Sequence, residues 1–376
     1  MNFIKQEISQ INYLRDREDA HVHIMVRSQR TGSGGQSVSM EFLGKNEFDA
    51  QNNSIEYAVP PQSSRHDARK LFVKHLQLGL IAYWVHTQTK EDISLVLLEP
   101  NAVSEEKSEE RVNKDPWNNW VFQMSGGGSL DNESRRSSIN YSMNVTANHV
   151  TPNLRVRTRG YLNTNLQVFF NEDEDIRSER KRKGFSGSIV KSLNNHWSYG
   201  FFGGIYSSTY SNIQSSLYLS PALEFNLFPY DEVQKREFTF AYKLGPSFRN
   251  YFEETLYERL QENLFRQSLE LALRLNQPWG AVWVGLEGSH YFHDIQKNRL
   301  EFNSRLDFRL VKGLALNVRS NVEFIRDQLS LPKGEISLED VLLQQSQQAT
   351  NFESFVALGV SYTFGSIYNN IVNTRL

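Results

Sequence analysis

Three arginines at two-residue spacing, Arg155, Arg157 and Arg159, are the side chains of this sequence with the clearest chemistry. On a strand that spacing puts all three on one face, because successive side chains point to opposite sides. Like charges so close repel unless they are paired or meet an anion. Stacked arginines that line a pore select anions, and carboxylates select cations. Further along the chain the same parity places Lys243, Glu270, Arg274, Glu287, Arg305, Asp307, Arg309, Arg319 and Glu323 on the polar faces of other segments. Glu224, Glu237, Arg266 and Glu301 join them. Two readings follow. One is a salt-bridge and water network that fills a narrow barrel; the other is an anion-preferring constriction. The near balance of signs favours the filled lumen, in which the ladder is first a structural element.

The elements that carry these side chains are long alternating strands. In 153–170, Leu154, Val156, Leu162, Leu166, Val168 and Phe170 oppose Arg155, Arg157, Arg159, Tyr161, Asn163, Asn165 and Gln167. A globular strand usually has about five or six residues, far fewer than this one. From Trp117 onward the pattern recurs in about twelve segments, near 117–127, 135–149, 153–170, 183–193, 197–210, 213–228, 235–249, 263–276, 279–293, 298–311, 313–327 and 351–366. Connections after odd segments include the long ones (171–182, 250–262, 328–350), and most of those after even segments are tight. Bacterial outer-membrane barrels have short periplasmic turns and longer outer loops. The expected fold is therefore an all-β transmembrane barrel of about 12 antiparallel strands, residues 117–366, with both ends in the periplasm and a tail at 367–376. A soluble sandwich would need shorter strands and a second sheet over the apolar face.

Residues 1–99 read differently, as a small α+β unit placed in the periplasm. Ile4, Ile8 and Ile11 predict a helix over 3–14. Alternation predicts strands at 20–27, 38–42, 55–59 and 93–98, and helical spacing predicts a helix within 65–88. Residues 100–116 are an almost wholly polar linker.

The bulk numbers agree. A net charge of -2 in 376 residues leaves no nucleic-acid footprint. With no cysteine there is neither a disulfide framework nor a thiolate metal site. No run of 18 apolar residues exists, which excludes a helical span and says nothing against a barrel. The chain has 24 Phe, 16 Tyr and 6 Trp, enough for interface girdles. Residues 1–5 lack the core and cleavage site of a secretory leader, so a leader is expected to have been removed or omitted.

The C-terminal run, 220–376, resembles a family of outer-membrane barrels of the Bacteroidetes type. The motifs are Ser220-Pro221-Ala222-Leu223-Glu224, Phe228-Pro229-Tyr230, Gln277-Pro278-Trp279-Gly280, Ile325-Arg326-Asp327-Gln328 and Tyr362-Thr363-Phe364-Gly365-Ser366-Ile367-Tyr368-Asn369-Asn370. The resemblance implies fold and location and no activity. In topology alone, residues 1–99 are similar to the N-domains of periplasmic envelope proteins of the TolB and curli-secretion type.

The remaining candidates each have a bland reading beside the functional one. Residues 173–183 read as a mixed-charge outer loop near lipopolysaccharide phosphates. Residues 332–350 read as a short helix in the last outer loop, packed there or serving as a lid. Gly32-Ser33-Gly34-Gly35 lacks the Lys-Ser/Thr of a phosphate cradle and reads as a hairpin. His21 and His23 have no third metal ligand. His290, the outward histidine, has Leu300 or Phe302 and Phe265 or Gln267 as expected neighbours and no nucleophile, so no enzyme and no cofactor is expected. The expected partners are outer-membrane lipid and a protein docked through residues 1–99.

Overall fold

The computed structural model describes residues 2–32, 34–87, 117–170, 175–334 and 346–366. The predicted strand at 93–98, the linker and the tail lie outside them, as do 335–345, where the loop helix was expected.

The first unit opens with α1 (Asn2–Glu7), followed by β1 (Val22–Arg30), β2 (Gln36–Gly44), β3 (Asn52–Val59) and α2 (Arg65–Trp84). The three strands form an antiparallel sheet in the order β1-β2-β3. One face of the sheet meets α2. There Val38, Met40, Phe42, Val73, Leu76, Leu80 and Tyr83 are buried, with Ile8 and Phe48. Gly79 sits over Phe42, and a Cβ there would fall 2.0 Å from the ring, so only glycine lets the helix lie this close. Ser64 and Asp67 cap α2 reciprocally. The first helix is shorter than its isoleucine spacing predicts. It ends at Glu7, and the Tyr13 hydroxyl folds back over that end, within hydrogen-bond distance of the carbonyls of Ile8 (2.8 Å) and Ile4 (3.1 Å).

The second unit is a twelve-stranded antiparallel sheet of the transmembrane barrel class. Its strands are β4 (Trp120–Glu133), β5 (Arg136–Val150), β6 (Leu154–Phe169), β7 (Ile176–Ser192), β8 (Trp197–Ser208), β9 (Ile213–Asn226), β10 (Arg236–Tyr251), β11 (Gln261–Gln277), β12 (Gly280–Tyr291), β13 (Asp294–Val311), β14 (Leu314–Ile325) and β15 (Phe352–Tyr362). Each pairs with its sequence neighbours, a simple meander. The outward row is apolar and exposed, as lipid requires: Phe185, Phe201, Leu217, Leu219, Leu269, Leu300 and Phe324 are all at least 42 % exposed. Among the described residues, β4 and β15 each pair on one side only. Hydrocarbon cannot satisfy unpaired backbone groups, so closing the cylinder in a bilayer requires these two edges to meet.

Two expected boundaries change: β4 runs on to Glu133, past the expected end at 127, and the third connection shortens. Residues 176–182 belong to β7 and not to an outer loop. Charge on both faces of this stretch hides the alternation that marks the other strands.

Candidate functional site

All twelve sequence-derived candidates fall on the inward face. Register separates them into two walls. On β9–β14 acids and bases interlock. Glu270, Glu287, Glu301 and Glu323 stand directly opposite one another across four strands, and Glu353 of β15 extends the row. Like charges in register are unfavourable, and cations offset them. Lys243 lies 2.8 Å from Glu270, Arg266 3.6 Å from Glu287, and Arg299 3.1 Å from Glu323. A second row, nearer the short turns, carries Arg274, Trp283, Arg305 and Arg319 in direct register. Arg274 pairs with Glu237 at 3.1 Å. Asp307 accepts from Asn317 at 2.7 Å. Trp283 was missed in the sequence, where tryptophan suits an outer girdle; its parity with Glu287 is the signal that turns it inward.

The other wall, β5–β8, has no inward carboxylate. Arg155, Arg157 and Arg159 of β6 lie opposite Val190, Ser188 and Ser186 of β7, and further along the same wall Arg182 and Arg180 lie opposite Asn163 and Asn165, with Asn140 and Asn144 on β5. Arg159 donates to Asn144 Oδ1 at 2.8 Å, and Arg180 to Asn165 Oδ1 at 3.3 Å. Arg182 lies 5.7 Å from the Tyr161 ring centre. The Arg155 Nε is buried with no hydrogen-bond partner. None of the ladder arginines has a carboxylate partner among the described residues. Arg155 still faces the Glu237 charge of the other wall, so it is Arg157 and Arg159 that stand apart from the salt-bridge network. Charges at i and i+2 lie about 7 Å apart, where two unit charges repel by roughly 2 kcal/mol at an effective dielectric near 20. An anion along this wall would relieve that repulsion.

Two cavities follow the cationic wall. One of about 1150 Å³ is lined by Asn140, Asn163, Asn165, Arg180, Arg182, Tyr161, Tyr206 and Tyr218, and it shares Ser186 and Tyr218 with a second of about 1000 Å³. The second is lined by Arg157, Arg159 and Phe202, and then by Arg30, Thr31, Gly32 and Gln62 of the first unit.

The first unit thus sits on the short-turn end of the barrel. Its sheet presents the helix-free face of β1 and β2. Arg27 donates to the Asn276 carbonyl at 3.3 Å and pairs with Glu41 at 2.7 Å; Glu41 also meets Lys235 at 3.2 Å. Burial opposes the charge on Glu41, but hydrogen bonds from Arg27 and Lys235 outweigh it and hold the carboxyl below its ordinary range. Arg17 donates to the Pro278 carbonyl. Asp19 pairs with Lys312 at 2.6 Å, and Asp16 accepts from the Gly313 N–H at 3.0 Å. Gly32 lies against the end of β5, where a Cβ on it would come within 2.4 Å of the Val150 Cβ.

At the opposite end, residues 328–333 fold inward. Leu329 packs with the inward-facing Leu264 and Tyr291. Asn212, in the left-handed region at φ 56°, ties the loops together: it donates to the carbonyls of Glu253 (2.9 Å) and Ser330 (3.1 Å) and accepts from the Glu253 N–H at 2.8 Å.

The other candidates are bland. His290 faces Gln267 and Asn298, neither a nucleophile. Among the described residues no group of three metal-ligating side chains is present. His21 lies edge-on to Phe48.

No family model and no curated protein matches this chain. Solved structures do match. The NanC porin is 10% identical, covering 64% of this chain and 99% of its own, with a TM-score of 0.31. The translocator domain of the autotransporter NalP from Neisseria meningitidis is 10% identical over 65% of this chain and 87% of its own, at 0.29. The β domain of the Bordetella autotransporter BrkA is 11% identical over 65% and 98%, at 0.25. What this chain has in common with them is the antiparallel up-and-down sheet of outer-membrane barrels, and at these scores the likeness ends with the arrangement of strands.

Proposed function

We propose that this protein is an outer-membrane channel of the Bacteroidetes type that passes small anionic solutes along the β5–β8 wall. The observation that supports this most is the segregation of charge. The ladder Arg155–Arg157–Arg159 continues into Arg180 and Arg182 with no inward carboxylate on the same strands, and the two contiguous cavities follow it. On the opposite wall the glutamate row is held by its own ion pairs and serves as scaffold, while Arg305 and Arg319 face each other with no ion pair among the described residues. Guanidinium forks suit carboxylate and phosphate oxygens, while asparagine amides and tyrosine hydroxyls suit polar groups beside the charge. In this reading the first unit is periplasmic and covers the inner mouth, and residues 328–333 narrow the outer one. No residue is assigned a catalytic role. Ion selectivity in planar bilayers tests the reading: the open channel passes anions in preference to cations, and that preference falls when the ladder is neutralised.

The docking of the first unit supports a second reading, an accessory subunit anchored by its barrel. Its polar face is already occupied by the barrel turns, so a protein partner would bind the outer side of α2 or the free edge of β3. Copurification from gently solubilised membranes tests this, and a purely monomeric protein counts against it.

A further inference from the structure

Strand β7 divides its basic residues between two faces. Arg180 and Arg182 point inward and belong to the cationic wall. Arg177, Lys181 and Lys183 point outward, opposite Val168, Thr164 and Leu162 of β6. All three are exposed. Lys183 stands two residues above Phe185 in the lipid-facing row, and Phe185 and Ile189 are 55% and 53% exposed. A charge on that row is tolerated near the interface and not at the midplane. The level of Lys183 therefore marks where hydrocarbon ends on this strand. Long basic side chains run their stems along apolar surface and hold their charge in the headgroup layer. Among the described residues of β7, the one acid on the same outward side is Glu179, 3.9 Å from Lys181. Among the described residues, Arg177 and Lys183 make no ion pair.

We infer that Lys181 and Lys183 form a docking site for a phosphorylated lipid headgroup of the outer leaflet, with Arg177 about 13 Å further along the strand from Lys181. The inference rests on the barrel reading, since only a membrane-inserted sheet puts this row at a lipid interface. Charge complementarity names the ligand's phosphate, and the position directly above the apolar belt names lipid as its source. A phosphate bound between Lys181 and Lys183 would meet cations about 7 Å apart along the strand. The inward arginines of the same strand face solute and not lipid, so one strand would serve two anions on its two sides.

The test uses the full chain in detergent micelles, with lipid retained through size exclusion counted by native mass spectrometry. The probes are diphosphorylated lipid A, the same lipid stripped of phosphate, and inorganic phosphate. The site predicts retention of the phosphorylated lipid and roughly tenfold less of the stripped one. K181Q/K183Q should lose about as much, K181R/K183R should retain the lipid, and R180Q/R182Q should leave it unchanged. Equal retention of stripped lipid, full retention by K181Q/K183Q, or loss in the inward control would each overturn the site. So would displacement by millimolar inorganic phosphate, which would mean a free-anion site. A chain that stays fully protease-accessible with bilayers present would overturn the barrel reading itself, and this outcome is distinct from all of those.

Discussion

Glu301 stands directly opposite Glu323 in the β13–β14 ladder, and a single guanidinium holds the two together. Arg299 lies 3.8 Å from Glu301, 3.1 Å from Glu323 and 2.9 Å from Asp327. With the arginine only 24% exposed, this is a partly buried network and stronger than a surface pair. R299Q should cost about 1–3 kcal/mol, below the full value for a buried pair. Unfolding of the detergent-solubilised barrel in guanidinium measures it. Adding E323Q should recover part of the loss, because it removes one of the unpaired carboxylates.

Docking of the first unit turns on one missing side chain. G32L should push the hairpin tip off Val150 and weaken the seat without touching the core around Phe42. Limited proteolysis should then cut the β1–β3 sheet faster, and conductance should rise as the mouth is uncovered. Wild-type cleavage and conductance in G32L would show that the unit does not cover the mouth.

Acid should release the same contact. His23 faces the barrel from β1, and burial lowers its pKa to about 4, with Arg309, Lys45 and Arg17 adding repulsion. A depressed histidine pKa means that the undocked or unfolded state binds more protons between about pH 6.5 and 4. The contribution is fully present above pH 6.5 and is lost as pH falls toward 4. Proteolysis of the first unit against pH should show this loss, and H23Q should flatten the part of the profile due to His23.

Asn212 holds the outer loops. Its side chain is 6% exposed and makes three hydrogen bonds to backbone groups of other loops. N212A strands those groups and leaves alanine at positive φ, which asparagine tolerates better. The expected cost is about 1–3 kcal/mol. Single-channel records should show more frequent or larger openings as 328–333 loosens.

The barrel was legible because a lipid-facing strand must alternate, and parity alone placed Arg155 and Glu323 inward. Register was not legible, since it depends on which residue pairs across each ladder. Without it, Glu270 and Glu301 counted as partners for arginines on another wall. At 176–182 alternation failed because both faces carry charge, and a strand read as a loop. Trp283 was overlooked because its residue type outweighed its parity. The seat of the first unit is a tertiary contact: Gly32 reads as a turn glycine, and Val150 lies far from it in the chain.

The central claim is that the Arg155–Arg157–Arg159 ladder, and not the balanced total, sets selectivity. The direct measurement is the reversal potential of single channels in a tenfold KCl gradient, for the wild type and for R155Q/R157Q/R159Q. The account predicts a wild-type potential on the anion side that moves most of the way to zero in the triple variant, with the channel still folded. A cation-selective or unselective wild type, a triple variant with unchanged selectivity, or a protein that never opens would contradict it.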